Sequence, residues 1–259
     1  MTEPPHHSRQ YGPTPSRIVV LHGGPGGAGE VEPLACELGR RGHAVLEPFQ
    51  TRHSVQGQVD ELKSQIETYC TQPVVLIGWS WGAWLGCLLA AQRETLVRKL
   101  ILVASGPFEP SYAAAIRTIK NARLTHEQRC ELKALRTEAG EIADVARFIE
   151  LNDVADTYAR DASPQPAVKF SANIHKAVWP EADEMRKSGA LLDAVSAITC
   201  SVLAIHGDYD PRPLGGVKDP LQKALPSAQF VELKRCGHKP WQEAHAKDDF
   251  YRLIEDACV

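Results

Sequence analysis

The sequence has no C-x-x-C pair, and its seven cysteines, Cys36, Cys70, Cys87, Cys130, Cys200, Cys236 and Cys258, are scattered and odd in number. Their pattern argues against a full disulfide framework and reads as reduced thiols, mostly small buried hydrophobes, in a cytoplasmic protein. Apolar runs such as "AWLGCLLAA" fall far short of the ~18 residues that a membrane helix needs, so no span is expected. The opening "MTEPPHHSRQYGPTPSR" holds no apolar stretch able to act as a signal peptide, and no secretion is expected. His6 and His7 in this segment read as part of a solvated tail, so no metal and no cofactor are implied. An excess of one charge is also lacking: 29 basic against 32 acidic residues give a formal net charge of -3. Nothing there favours nucleic acid or an anionic membrane, which leaves a small molecule as the expected partner. Composition leaves the oligomeric state open.

What is present is alternation. The runs "SRIVVLHG" (16–23), "HAVLEPF" (43–49), "PVVLIGW" (73–79), "KLILVASG" (99–106), "CSVLAIHGD" (200–208) and "QFVELKR" (229–235) read as strands. They are continuously apolar rather than alternating, the pattern of a parallel sheet covered on both faces. Between them Val59, Leu62, Ile66 and Tyr69 recur at helical spacing, as do Phe250, Leu253 and Ile254 near the end. The order predicts an α/β fold, a doubly wound and mostly parallel sheet, in residues 16–106 and 191–259. Residues 1–15 are expected to be a flexible tail.

The regularity fails over 107–190, where helix signals prevail: Thr125 with Gln128 as a capping box, and a stripe of Ile142, Val145, Phe148 and Ile149. This stretch is expected to be a helical cap insertion, with "ASPQPAVK" (162–169) as a loop inside it.

The strongest chemical signal is "PVVLIGWSWGAWLGCLLAAQ": an apolar strand, then G-x-S-x-G, then a helix, the context of a nucleophile elbow. So sharp a turn strains the backbone at Ser80, and Gly78 and Gly82 leave room where a β-carbon would collide. A serine hydroxyl needs a base to take its proton and a carboxylate to orient that base. After the fifth of these strands comes "DYDPRP", offering Asp210, with Asp208 as the alternative; after the sixth comes "CGHKPW", offering His238. Of the ten histidines, His238 alone follows the final strand in a glycine-flanked loop, whereas His206 reads as a hydrogen-bonded core residue.

The loop "HGGPGG" (22–27) would supply one amide of an oxyanion hole, most plausibly Gly24, and the residue after the serine, Trp81, the other. His22 reads as a structural residue bonding loop backbone. Neither a Walker-type G-x-x-x-x-G-K-[ST] nor a G-x-G-x-x-G with its ribose-binding acid is present, so this loop is not read as a phosphate cradle. Trp79 is open between pocket wall and sheet packing. The ring of Trp81, with Trp84 and Leu85, is expected to pack against core or cap.

Taken as a set and in this order, "HGGPG", "GWSWG", "HGDYDP" and "CGHKPW" resemble the α/β-hydrolase superfamily, and within it the proline iminopeptidase group of serine peptidases. The resemblance implies a serine hydrolase with Ser80 as nucleophile, Asp210 as acid, His238 as base, and Gly24 and Trp81 as oxyanion donors. It departs from that group where "EPFQTRHSVQG" stands for a D-x-R-G-x-G-x-S element, in the tryptophan before the serine, and in a shorter cap. Three functions follow: cleavage of a small ester, amide or thioester; an aminopeptidase, for which Glu181, with Glu184, would bind a substrate ammonium; or a non-catalytic small-molecule binder of the same fold.

Overall fold

The apolar runs become strands, and parallel pairing orders them. The computed structural model describes residues 7–137, 142–162 and 168–258. Its strands, in chain order, are β1 (Ser8–Tyr11), β2 (Ser16–Leu21), β3 (Gly27–Ala28), β4 (Val45–Pro48), β5 (Cys70–Trp79), β6 (Val97–Val103), β7 (Lys169–Phe170), β8 (Ser201–Gly207) and β9 (Gln229–Leu233). Seven form one sheet in the order β1-β4-β2-β5-β6-β8-β9. All neighbours are parallel except β1, which runs antiparallel to β4. The α/β expectation therefore holds, with one antiparallel edge strand added.

That edge lies inside the segment expected to be a flexible tail. Ser8–Tyr11 pairs with β4 in register from Ser8 opposite Pro48 to Tyr11 opposite Val45. The Tyr11 hydroxyl donates to Glu47 Oε2 at 2.8 Å, and Arg9 meets Glu32 at 2.6 Å. A strand held by polar side chains and backbone bonds leaves no apolar run in the sequence, which is why composition alone reads as tail.

Helices cover both faces. They are α1 (Glu32–Arg40), α2 (Val55–Tyr69), α3 (Trp81–Gln92), α4 (Pro110–Arg123), α5 (His126–Ala134), α6 (Val145–Asp156), α7 (Ala172–Ser188), α8 (Ala190–Ser196), α9 (Gly215–Ala224) and α10 (Lys247–Cys258). Val59, Leu62 and Ile66 of α2, most of α3, and Leu191 and Val195 of α8 build one apolar layer. Leu34 and Leu38 of α1 with Phe250 and Ile254 of α10 build the other. Because α3 is apolar on every side over most of its length it sits against the sheet centre, every residue from Trp81 to Ala90 buried. Trp84 packs on Trp81, Phe108 and Trp179, so its ring joins core to insertion as expected.

Between β6 and β8 lie α4 to α8 and the short β7. The Thr125–Gln128 capping box opens α5 as the sequence indicates. The expected loop at 162–169 falls largely outside the described residues, at 163–167. At its end, where no strand is expected, Lys169–Phe170 pairs antiparallel with β3 in the glycine loop. Ser171 N–H also donates to Gly26 O at 2.9 Å, so the inserted segment is clipped onto the loop after β2.

Candidate active site

The turn between β5 and α3 is as tight as its glycines suggest. Ser80 has φ 55° and ψ −114°, a left-handed backbone that an L-residue adopts only under constraint. A Cβ at Gly78 would lie 2.3 Å from Gly82 O, and one at Gly82 would lie 2.6 Å from Leu21 O. Both positions therefore exclude any side chain, and Ser80 is held at the carboxyl edge of the sheet, where open α/β folds bind ligands.

Two later loops return to this edge. Asp210 follows β8 and His238 follows β9, and His238 Nδ1 lies 2.7 Å from Asp210 Oδ2. The carboxylate can only accept, so Nδ1 carries the proton and Nε2 keeps its lone pair. Burial works against ionisation of Asp210, yet His238, His206 and Arg212 together hold its carboxyl well below the usual carboxylate range. Burial, and next the Arg212 guanidinium, lower the His238 pKa from the ordinary 6.5, against opposing pulls from Asp210 and Asp156. Asp208, the alternative acid, is exposed and accepts from Cys236 N–H at 3.2 Å.

His22 is buried and neutral. Its Nδ1 donates to Gly23 O at 2.8 Å, its Nε2 accepts from Gln50 N–H at 3.2 Å, and burial takes its pKa down to about 4. Gln50 also receives the indole N–H of Trp81 at 2.9 Å, which Gln58 shares at 3.1 Å. Trp81 thus points its ring into the core, and two glutamines that the sequence did not single out fix the helix start to the glycine loop.

Ser80, His238, Gly24 and Trp79 line one cavity of about 450 Å³. Trp79 is both things at once. It forms part of this wall, and it packs beside His238 and Trp241 with ring centroids 5.0 and 5.3 Å away. Ile142, Val145, Phe148 and Ile149 line the cavity as well, so the apolar stripe read from the sequence faces it.

Glu181 does not. Its carboxylate accepts from Val55 N–H at 2.8 Å and satisfies the first turn of α2, and neither it nor Glu184 lines the cavity. An exposed helix N-terminus attracts a carboxylate at short range, and the fold brings α7 beside α2. The acids that do line it are Glu30, Asp153 and Asp156. Asp153 is paired with Lys239 at 3.0 Å and Arg160 at 2.8 Å; Asp156 with Arg212 at 2.7 Å and Lys120 at 3.1 Å. Burial pushes the Glu30 carboxyl up to about 7, with Lys239 opposing. In the sequence these residues look like ordinary surface charges, and only the insertion folding over the sheet buries them.

One more carboxylate joins the layers. Glu243 is buried and accepts from Gly237 N–H at 2.8 Å, Tyr158 N–H at 2.9 Å and Ala159 N–H at 2.8 Å. It ties the histidine loop to the segment after α6.

Comparison with known proteins agrees with this architecture. The model described as the alpha/beta hydrolase family matches residues 18–253. A pimeloyl-[acyl-carrier protein] methyl ester esterase from Nitrosomonas europaea is 25% identical over 236 residues, 86% of this chain and 89% of that protein. Among solved structures VinJ has a TM-score of 0.69 at 18% identity, over 97% of this chain and 95% of that one. A proline iminopeptidase from Mycobacterium smegmatis has a TM-score of 0.64 at 17% identity, over 96% and 92% respectively. At such identities the structural likeness speaks for the fold alone.

Proposed function

Because this chain belongs to the alpha/beta hydrolase family, we propose that it is a serine hydrolase that cleaves a small ester through an acyl-enzyme on Ser80. The observation that carries this reading is the 2.7 Å bond from buried Asp210 to Nδ1 of His238, which lines the same cavity as the strained Ser80.

Ser80 Oγ attacks the ester carbonyl while His238 Nε2 takes its proton, and Asp210 steadies the imidazolium that forms. The carbonyl oxygen becomes an oxyanion. Trp81 opens α3, so its N–H has no partner within the helix, and with the amide of Gly24 it is assigned to that oxygen. Collapse breaks the bond to the alcohol oxygen, which leaves with the proton from His238. A water then gives its proton to His238 and attacks the acyl-enzyme, releasing the acid and restoring Ser80.

The cavity volume falls within the usual range for small-molecule sites, ~300–1,000 Å³. A relative named for methyl ester cleavage supports the choice of ester. An aminopeptidase would need a carboxylate ready for an ammonium, but Asp153 and Asp156 are committed to cations, burial disfavours the charged form of Glu30, and Glu181 faces α2.

A fluorophosphonate probe is expected to label the folded protein at Ser80 and to leave Ser80→Ala unlabelled. Short-chain p-nitrophenyl esters should be hydrolysed much faster than aminoacyl anilides. Folded wild-type protein that takes no label would favour the non-catalytic binder instead, and preference for the anilides would restore the aminopeptidase.

A further inference from the structure

Asp156 is the last residue of the inserted helix α6, yet it meets the catalytic loops at two points and α4 at a third. Its backbone oxygen accepts from His238 N–H at 2.8 Å. Its carboxylate accepts from Arg212 Nη1 at 2.7 Å and from Lys120 Nζ at 3.1 Å. Gly237 permits the approach, since a Cβ there would sit 2.1 Å from Asp156 O.

Arg212 carries the contact onward. Its backbone N–H donates to Asp210 Oδ1 at 2.9 Å, its guanidinium lies 3.6 Å from the same oxygen, and its carbonyl accepts from His206 Nε2 at 2.6 Å. One guanidinium therefore stands between two buried carboxylates. One of them orients His238; the other belongs to the insertion. A guanidinium deprived of one acceptor turns toward the one that remains, so loss of the Asp156 charge would draw Arg212 onto Asp210 and compete with His238 for it.

We propose that Asp156 is a positioning residue, which holds Arg212 back from Asp210 and so fixes the Asp210–His238 pair, making activation of Ser80 depend on the insertion as well as on the sheet. The inference rests on the catalytic set proposed above.

The charges around His238 give the test its signs. Arg212, from the loop after β8, lowers its pKa; Asp210 from that loop and Asp156 from α6 raise it. His206 of β8 lies 3.6 Å from Asp210 Oδ2, while Lys239, Glu30, Asp153 and Lys120 line the same cavity. Asp156→Asn keeps the size and the backbone acceptor but removes a charge that favours the imidazolium, so the acid limb of activity should move to lower pH. Arg212→Gln removes a charge that opposes it, so the limb should move to higher pH.

The experiment follows Ser80 labelling by a fluorophosphonate and ester turnover against pH in the full chain. For Asp156→Asn, plateau kcat should fall at least about tenfold, part of the ~10²–10⁴ that a well-placed base supplies, with KM within about twofold. The double variant should lose no more than the worse single, because both act through one bridge. Where circular dichroism finds Asp156→Asn unfolded, Arg212→Gln keeps the test through its own movement of the limb to higher pH. Variants that fold, keep wild-type kcat and show no movement of the limb overturn the positioning role alone, as does a change confined to KM. Wild-type protein that takes no label at Ser80 overturns the catalytic reading, and this inference with it.

Discussion

The indole N–H of Trp79 donates to the backbone oxygen of His238 at 2.8 Å, so the residue before the serine supports the loop that carries the histidine. The bond is buried and joins the end of β5 to the loop after β9, two strands that are not neighbours in the sheet. Trp79→Phe keeps most of the ring and removes the donor, leaving a buried carbonyl unpaired. Stability should fall by about 1–3 kcal/mol in urea unfolding. The rate of Ser80 labelling should fall with it, while a labelling rate equal to wild type would show that the bond does not position His238.

Asp210 and Asp208 are two residues apart but face different tasks. Asp210→Asn should lower kcat by about 10³–10⁴-fold, because an amide in place of the carboxylate favours the wrong imidazole tautomer, and thermal unfolding should change little. Asp208→Asn should leave kcat within about twofold, since its side chain is exposed and bonds only loop backbone and a lysine among the contacts seen. Steady-state kinetics of both variants decides between them.

The pH dependence should report His238. Its pKa is lowered from 6.5 by burial and by Arg212, and the proposed base acts only when unprotonated. The acid limb of kcat/KM is therefore expected below pH 6.5. A midpoint above that value would contradict the assignment of the limb to this residue.

Glu30 supplies a test by stability alone. Its carboxyl is raised from 4.5 to about 7 in the folded protein, so as pH rises from about 4.5 to 7 the unfolded chain releases the proton and the folded chain holds it. Ionisation therefore costs stability progressively across that window and no further above it. Glu30→Gln should be more stable than wild type by an amount that grows through the window and then levels off, on the order of 1–3 kcal/mol. Thermal unfolding at pH 4, 6 and 8 measures it, and a constant difference at all three would refute the shift.

Gly82→Ala would place a Cβ 2.6 Å from Leu21 O and 2.7 Å from His22 O, both backbone atoms with no room to yield. A loss of at least ~2–3 kcal/mol is expected, with Ser80 labelling suppressed in whatever protein folds. Gly42→Ala makes a useful contrast: its Cβ meets nothing within 4 Å, so only the strain of its positive φ would be felt.

The glycines of the elbow, the order of strands and helices, and the residue types after β5, β8 and β9 were legible because each reflects a local demand. An apolar run buried on both faces reads as a parallel strand, and a turn without space admits only glycine. The sequence by itself thus determined the α/β fold, and that Ser80, His238 and one of two aspartates would be brought to one edge of a sheet. It favoured Asp210 but kept Asp208 as an alternative, because the choice depends on how the loop after β8 closes on the loop after β9. It did not place Glu181, whose exposed carboxylate looks the same whether it faces a cavity or caps α2. The Asp210–Arg212–Asp156–Lys120 chain joins the loop after β8 to helices far back in the sequence, and in one dimension its members are scattered surface charges. Tertiary structure decided these points because a charge acts through distance and burial, and both arise only when the insertion packs over the carboxyl edge of the sheet.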